Sequence, residues 1–200
     1  MPLHRVIYPR YKITLIEAIS RLLPGENISL LDLGAGDGLF ASSLRRFLPL
    51  TLVEGVDITN RLHPKSNITF SVYDGKQLPF TDREFDVVLI CNVLHHVPVS
   101  QRSSLIAEVS RVARQCIVIK DHLVTGPFSR ISLGLADWVG NAPFRGMVEA
   151  SYLSSSDWLG LLDLPPFTAR YFNALGLQRG LRNLIFPDRQ EIMIQLLRKD

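Results

Sequence analysis

Three glycines at alternating positions follow a short apolar run and would allow a ligand to lie against the backbone. They are Gly34, Gly36 and Gly38, and Asp32 stands two residues before the first of them. Glycine adopts backbone angles that other residues avoid, and it lets the chain approach a ligand closely. A helix that begins after such a turn directs unpaired N–H groups and the positive end of its dipole at the ligand. The pattern therefore predicts a nucleotide-type turn that holds a carboxylate or a phosphate.

A carboxylate further along the chain fits the same ligand. Asp57 closes the next predicted strand, 19 residues after Gly38, and a carboxylate there accepts hydrogen bonds from both hydroxyls of a ribose. Dinucleotide enzymes use a carboxylate in this way, so Asp57 indicates an adenosine ligand without selecting the cofactor. The dinucleotide fingerprint G-x-G-x-x-G/A matches at Gly34 and Gly36 but meets Leu39 at its third position.

Four polar residues follow the predicted fourth and fifth strands, at the edge where open α/β sheets bind ligands. They are His95, His96, Asp121 and His122. A hydroxyl that acts as a nucleophile needs a base to remove its proton, and histidine is the usual one. His122, with Asp121 beside it, is our first candidate, although neighbours on a strand point to opposite faces. A hydrogen bond within a loop is the alternative role.

Apolar spacing places these residues on alternating strands and helices. Capping-box patterns begin two of the helices, Thr14 with Glu17 and Ser154 with Asp157. Strands are predicted at 28–33, 51–56, 67–73, 85–91, 116–120, 168–172 and 191–197, and helices at 14–23, 39–48, 105–113, 128–138 and 157–162. This alternation predicts a parallel sheet with right-handed crossovers, whose last two strands form its outer pair.

The chain is expected to form one domain over residues 1–200, with 123–163 inserted as a substrate lid. Only about ten residues separate Asp57 from the third strand, too few for the usual second crossover helix with its loops. That helix is therefore expected to be reduced to a turn. Four aromatic side chains lie in the lid segment and belong either to an acceptor pocket or to the core of the added helices. They are Trp138, Phe144, Tyr152 and Trp158.

Composition limits the partners and the cellular compartment that we expect for this chain. The formal charge is +3, too small to indicate a nucleic-acid partner. No apolar run approaches the ~18 residues that span a bilayer, and no signal peptide precedes the first helix. Cys91 and Cys116 form no C-x-x-C pair and are expected to be reduced thiols of a cytoplasmic protein. No metal site is expected.

Several motifs at consistent spacing resemble the class I S-adenosylmethionine (SAM)-dependent methyltransferases, especially the broad group called type 11. The G-x-G-x-G turn after Asp32 resembles the family's first motif, and Asp74-Gly75 stands where the family ends its third strand. The stretch from Leu78-Pro79-Phe80 through Asp82 to Phe85–Ile90 resembles the family's "LPF-x-D…FD-V-V" segment. The resemblance covers residues 30 to about 120.

The resemblance implies a doubly wound, three-layer αβα fold with a mostly parallel, seven-stranded, Rossmann-like sheet and an antiparallel last strand. It implies SAM as cofactor, with Gly34 and Gly36 against its methionine part and Asp32 nearby. Asp57 would bind the ribose, Ile58 would pack on the adenine and Asp74 would bind the adenine amine. The backbone of Asn92 would line the methionine end, and Ala35 and Gly75 complete the expected cofactor-binding set. By analogy with the fold, Tyr8 and Tyr11 are expected to close over the cofactor.

The implied activity is methylation of a small molecule on oxygen, carbon or nitrogen by a monomer or homodimer. A nucleic-acid amino-methyltransferase is disfavoured because Asn92-Val93-Leu94-His95 replaces the Pro-Pro-containing motif of that group. Two alternatives stay open. One is a non-catalytic SAM-binding partner subunit, suggested by the missing helix, and the other is an NAD-binding oxidoreductase.

Overall fold

The short apolar runs of the sequence form the strands of one sheet, and the amphipathic segments between them form helices on its two faces. The computed structural model describes residues 4–141, 150–173, 175–177, 183 and 187–199, and the side chains of all of these except 4–9 and 136–141. The strands are β1 (Ile28–Leu33), β2 (Leu50–Asp57), β3 (Thr69–Val72), β4 (Phe85–Cys91), β5 (Ala113–Val124), β6 (Leu153–Ser154), β7 (Phe167–Asn173) and β8 (Glu191–Arg198). The helices are α1 (His4–Ser20), α2 (Leu39–Phe47), α3 (Val99–Val112), α4 (Ser129–Asn141) and α5 (Ser155–Leu161).

The sheet runs in the order β3-β2-β1-β4-β5-β8-β7, and the two-residue β6 pairs with the end of β5. Strands β1 to β5 are parallel, whereas β8 runs antiparallel to both of its neighbours. The predicted doubly wound fold with an antiparallel last strand is therefore confirmed. Strand order reverses between β1 and β4, and Leu33 at the end of β1 is level with Val56 and Ile90 on its two neighbours. Ligands of open α/β sheets bind at such a reversal.

Two apolar cores, one on each face, hold the three layers together. Strands β1, β4 and β5 contribute residues to both cores because successive side chains point to opposite faces of a strand. Helices α1 and α2 pack on one face through residues such as Ile19 and Leu44. Helices α3 and α5 pack on the other face through residues such as Val109 and Trp158. The helices on both faces thus support the carboxyl ends of the strands, where the candidate site residues lie.

The start of α1 and the end of β5 differ from the sequence prediction. Helix α1 begins at His4, so Thr14 lies inside the helix, where its hydroxyl donates to the carbonyl of Arg10 instead of capping. Strand β5 continues to Val124 because β8 pairs along it as far as His122, and β6 pairs with its last two residues. The predicted capping box of α5 is confirmed, since the hydroxyl of Ser154 accepts from the N–H of Asp157 and the carboxylate of Asp157 accepts from the N–H of Ser154.

The second crossover lacks a helix, as predicted. Residues 58–68, which we call the strap, join β2 to β3 without regular structure apart from a turn. Over the described part of the chain, no helix combines the length and the apolar character that crossing a membrane requires.

Candidate functional site

The glycine turn follows β1 and is held by the neighbouring strand. The N–H groups of Gly34 and Ala35 both donate to the carbonyl of Val56, at 2.7 and 3.2 Å. Gly36 has φ +58°, and a Cβ built on it would meet no atom within 4 Å. The turn therefore leaves space beside Gly36 that any other residue would fill, which is the form of a cradle for a ligand.

Asp57 lies at the end of β2 against this turn. Its carboxylate accepts the N–H of Gly36 at 2.9 Å and the N–H of Thr59 at 3.3 Å. Arg61 stands 3.5 Å from the same oxygen that Gly36 contacts. The side chain of Asp57 is 7 % exposed, and the backbone N–H groups on both sides fix its position. The turn and the acid that sequence reasoning assigned to one ligand are thus in direct contact.

Asp32 lies beneath the turn at 3 % exposure. Burial, together with the nearby negative charge of Asp57, raises the pKa of Asp32 to about 7. A cation bound beside it would favour the ionised carboxylate and lower that pKa. Two interacting acids beside the turn therefore suit a ligand that carries a positive group and hydroxyls.

The strap packs against the start of α2 and closes one side of the turn. The N–H of His63 donates to the carbonyl of Asp37 at 3.0 Å, and the hydroxyl of Ser66 donates to the carbonyl of Gly38 at 3.2 Å. A Cβ on Gly38 would come within 2.6 Å of the side chain of Leu62. Without a helix between β2 and β3, these residues of the turn would be uncovered. The strap contacts them instead.

The residues assigned to the adenine lie next to one another on the open side of β2 and β3. Ile58 is 50 % exposed, and Gly75, with φ +80°, lies next to it. The carboxylate of Asp74 accepts the N–H groups of Lys76 and Gln77 at 2.8 and 3.0 Å, and these bonds hold its pKa below the usual range. An exposed apolar side chain beside an ionised acid is suited to one face and one edge of a purine.

Asn92 ends β4 in the left-handed region, with φ +57°, which asparagine tolerates better than most residues. Its amide oxygen accepts from the ammonium of Lys120 at 2.6 Å. The same ammonium forms an ion pair at 2.6 Å with Glu191, and both charged side chains are buried. Burial alone would lower the pKa of Lys120, but the charges of Glu191 and of other neighbours raise it well above its ordinary value.

Asp121 and His122 are neighbours at the end of β5 and contact different partners. Asp121 forms a short hydrogen bond with Nδ1 of His95, and both side chains have no exposed surface. The ring of His122 lies with Nδ1 3.5 Å from Glu191 and with its centroid 5.0 Å from that of His95, and the backbone N–H of His122 donates to Asp121 at 2.7 Å. Glu191 is therefore a second carboxylate beside the ring of His122, and the role of Asp121 next to that ring stays a prediction.

The segment after β5 returns to the same edge of the sheet. The indole of Trp158 has no exposed surface and donates to the carbonyl of His122 at 3.2 Å. Tyr152 stacks on His95 with ring centroids 5.5 Å apart. Trp158 thus belongs to the core, whereas Tyr152 contacts the candidate site, and the side chains of Trp138 and Phe144 lie outside the described residues.

Sequence reasoning missed Lys120 and Glu191, which are 71 residues apart and meet only because β8 pairs with β5. It also placed Tyr11 before the first helix, whereas Tyr11 lies within α1 and stands with its ring centroid 5.8 Å from the Lys120 ammonium. A lysine within a buried apolar strand was the one available signal, because a buried ammonium requires partners.

Comparison with known proteins agrees with this geometry. Residues 31–116 match the family described as a methyltransferase domain. A fatty-acid O-methyltransferase of Mycolicibacterium smegmatis is 32 % identical over 112 residues, which cover 52 % of this chain and 40 % of that protein. The chain spans about half the length of the curated relatives it matches.

Solved structures share the fold. A putative methyltransferase in complex with the Trm112 activator of Haloferax volcanii has a TM-score of 0.70 at 12 % identity, covering 98 % of this chain and 92 % of that one. Magnesium protoporphyrin IX methyltransferase from Synechocystis with bound SAH has a TM-score of 0.65 at 18 % identity, covering 98 % and 85 %. At these identities the likenesses show the fold.

Proposed function

Residues 31–116 match the family described as a methyltransferase domain, and we propose that this chain transfers the methyl group of SAM to a small-molecule acceptor. The observation that carries the proposal is the open space beside Gly36, bordered by the fixed carboxylate of Asp57. SAM supplies an electrophilic methyl group on a sulfonium when it is bound.

The residues present suit each part of that cofactor. Gly34 and Gly36 would lie along its methionine part, with Ala35 between them, and Asp57 would accept the ribose hydroxyls. Ile58 offers an exposed apolar surface to the adenine, and Asp74 and Gly75 lie beside it. Asn92 would face the methionine end through its backbone. The protein's task is then to align an acceptor behind the methyl group.

The acceptor is proposed to enter over the ends of β4 and β5, between α1 and the segment 123–163, which we propose acts as its lid. His122 is proposed as the base for a hydroxyl acceptor, since its side chain is 11 % exposed whereas that of His95 is fully buried. A carboxylic acid is ionised at neutral pH and needs no base. The fatty-acid relative makes carboxylic acids the first acceptors to try.

A direct test measures binding of S-adenosylhomocysteine (SAH) and of NAD by calorimetry, followed by methyl transfer to acids, phenols and amines. Tight SAH binding and turnover of one acceptor class support the proposal. Tight NAD binding without SAH binding would replace it with the oxidoreductase alternative.

His122→Asn separates the acceptor classes. Loss of about 100-fold or more in kcat with phenols, and little change with carboxylic acids, is expected of a general base. Equal loss with both classes would assign His122 to structure. The missing helix suggested the alternative of a non-catalytic SAM-binding subunit, but the strap covers the turn at that place. SAH binding with no turnover of any acceptor would favour this alternative again.

A further inference from the structure

The ammonium of Lys120 is surrounded by side chains from three different parts of the fold. It donates to the amide of Asn92 after β4 at 2.6 Å, and it pairs with Glu191 at the start of β8 at 2.6 Å. The ring of Tyr11 on α1 lies beside it, with its centroid 5.8 Å from the ammonium. These contacts bring an amide oxygen, a carboxylate and an aromatic ring to one buried ammonium.

Such an arrangement exceeds what a packing residue of the core needs. Lys120 has no exposed surface, and a buried charge is destabilising unless it is paired and hydrogen-bonded. An apolar side chain would fill the same place in β5 without partners, as Val118 and Ile119 do next to it. The elements that the ammonium joins also share one feature: each borders the carboxyl edge of the sheet where the cofactor is proposed to bind.

The link to Asn92 has the clearest consequence for a ligand. Asn92 holds a left-handed conformation, and two bonds to one residue fix it: its amide accepts from the Lys120 side chain, and its N–H donates to the Lys120 carbonyl at 2.8 Å. Any residue at position 120 would supply the carbonyl bond, whereas the bond to the Asn92 amide requires the ammonium, so the orientation of the Asn92 side chain depends on Lys120. Tyr11 contacts the same ammonium, so Lys120 also helps to hold α1 in position.

We propose that Lys120 is a positioning residue that sets cofactor affinity by holding the turn at Asn92 and fastening α1 across the same edge. This inference rests on the proposed function, because it takes Asn92 as part of the SAM site. Lys120 does not touch the reacting atoms in this role; it acts through Asn92 and Tyr11. A purely structural lysine would affect unfolding but leave the affinity of the folded protein unchanged.

The test compares SAH affinity, measured by calorimetry, with thermal stability in the same variants. Lys120→Met alone leaves Glu191 buried without its ammonium partner and is expected to unfold easily. The double variant Lys120→Met/Glu191→Gln removes both charges and should restore cooperative unfolding. Its SAH dissociation constant is expected to rise about tenfold or more, as the loss of a charged hydrogen bond at the site predicts.

Two milder variants keep the proposal testable if the double variant does not fold. Tyr11→Phe removes one oxygen, and Asn92→Gly removes another while keeping the left-handed backbone accessible. Each should weaken SAH binding about threefold to tenfold, and together they should change it by less than the product of the two, because both act through one ammonium.

The outcomes are separable. If wild-type protein binds no SAH, the proposed function fails and this inference falls with it. If wild-type protein binds SAH and the folded variants bind it equally well, or if the Tyr11 and Asn92 effects multiply independently, the positioning role is wrong while the proposed function stands.

Discussion

The backbone N–H of Gly36 donates a 2.9 Å hydrogen bond to Oδ2 of Asp57. This bond joins the glycine turn after β1 to the end of β2 and leaves the second carboxylate oxygen near the N–H of Thr59. Arg61, on the strap, lies within 3.5 Å of Oδ2 as well. The acid therefore supports the turn and faces the proposed ribose position at the same time, so its two roles are not independent.

Replacement of Asp57 by alanine should weaken SAH binding and also destabilise the fold. Ribose hydroxyls lose their acceptor, and a bidentate contact of this kind corresponds to about 100-fold in affinity. The N–H of Gly36 also loses its partner, which costs about 1–3 kcal/mol of unfolding free energy. Calorimetry and urea unfolding measure the two effects separately.

Asp57→Asn serves as the matched variant, because its amide oxygen can still accept from Gly36. It should recover most of the stability but only part of the affinity. Unchanged SAH affinity in Asp57→Ala would remove this residue from the cofactor site.

The two glycines that begin the turn should respond differently to alanine. At Gly36 the added methyl group meets no protein atom within 4 Å, so the fold loses only the ~1–2 kcal/mol of a left-handed residue. The methyl group instead enters the space proposed for the ligand, and SAH affinity should fall about tenfold or more. At Gly34 the methyl group collides with Val93, so Gly34→Ala should lower the unfolding temperature more strongly. A Gly36→Ala protein that binds SAH like wild type would show that the space is not the ligand site.

The raised pKa of Asp32 predicts a pH dependence of cofactor binding. Burial first, and Asp57 second, raise that pKa to about 7 in the ligand-free protein. The pKa of Asp32 in the folded protein is higher than its unfolded value of about 3.9. The neutral acid therefore makes its full contribution to stability below about pH 4. It is lost as the pH rises through about 7. If the ammonium of the cofactor lies beside Asp32, the bound state favours the carboxylate, so binding releases a proton and strengthens as the pH rises to about 7.

Calorimetric titration of SAH between about pH 5.5 and pH 8.5, in buffers of different ionisation enthalpy, measures both the affinity and the proton release. The slope is at most about tenfold per pH unit for one proton. Asp32→Asn is the control, because the ligand's own amino group titrates in both proteins. An identical slope in the variant would show that Asp32 does not respond to the ligand.

Local sequence signals predicted the turn and the strands well but failed wherever a distant partner determined the structure. The run before Gly34 forms β1 at the predicted residues because its apolar side chains are buried on both faces. The same capping pattern was correct at Ser154 and wrong at Thr14, since α1 extends ten residues before Thr14. A capping box marks a helix start only if the preceding residues leave the helix.

The charged partners of the site were beyond sequence reasoning for a related reason. Asp121 and His122 are neighbours in the chain, but Asp121 bonds to His95 and the ring of His122 lies near Glu191. Glu191 reaches this position only through the antiparallel pairing of β8 with β5. No periodicity in the sequence states which residues two distant strands place opposite each other.

Asp121 should stabilise the protein in a manner that depends on pH. Burial by itself would raise its pKa, but the charge and hydrogen bond of His95, together with His122, hold the pKa well below its usual range. A folded pKa below the unfolded value of about 3.9 means that the stabilisation is present above about pH 4 and is lost as the pH falls further. Asp121→Asn should therefore lower the unfolding free energy by about 3–5 kcal/mol at pH 7, as expected when one partner of a buried pair is removed.

The difference between wild type and Asp121→Asn should stay constant from about pH 7 to pH 5 and shrink below about pH 4. Urea unfolding at several pH values measures it, with Asp82→Asn as the control, since Asp82 is 78 % exposed and pairs with Arg111 at the surface. A difference that does not change with pH would mean that Asp121 contributes through the N–H bonds it accepts from Leu94 and His122. An asparagine oxygen can keep those bonds, so in that case the loss should also be much smaller than 3 kcal/mol. The pH profile thus separates the ion pair with His95 from the backbone bonds of the same carboxylate.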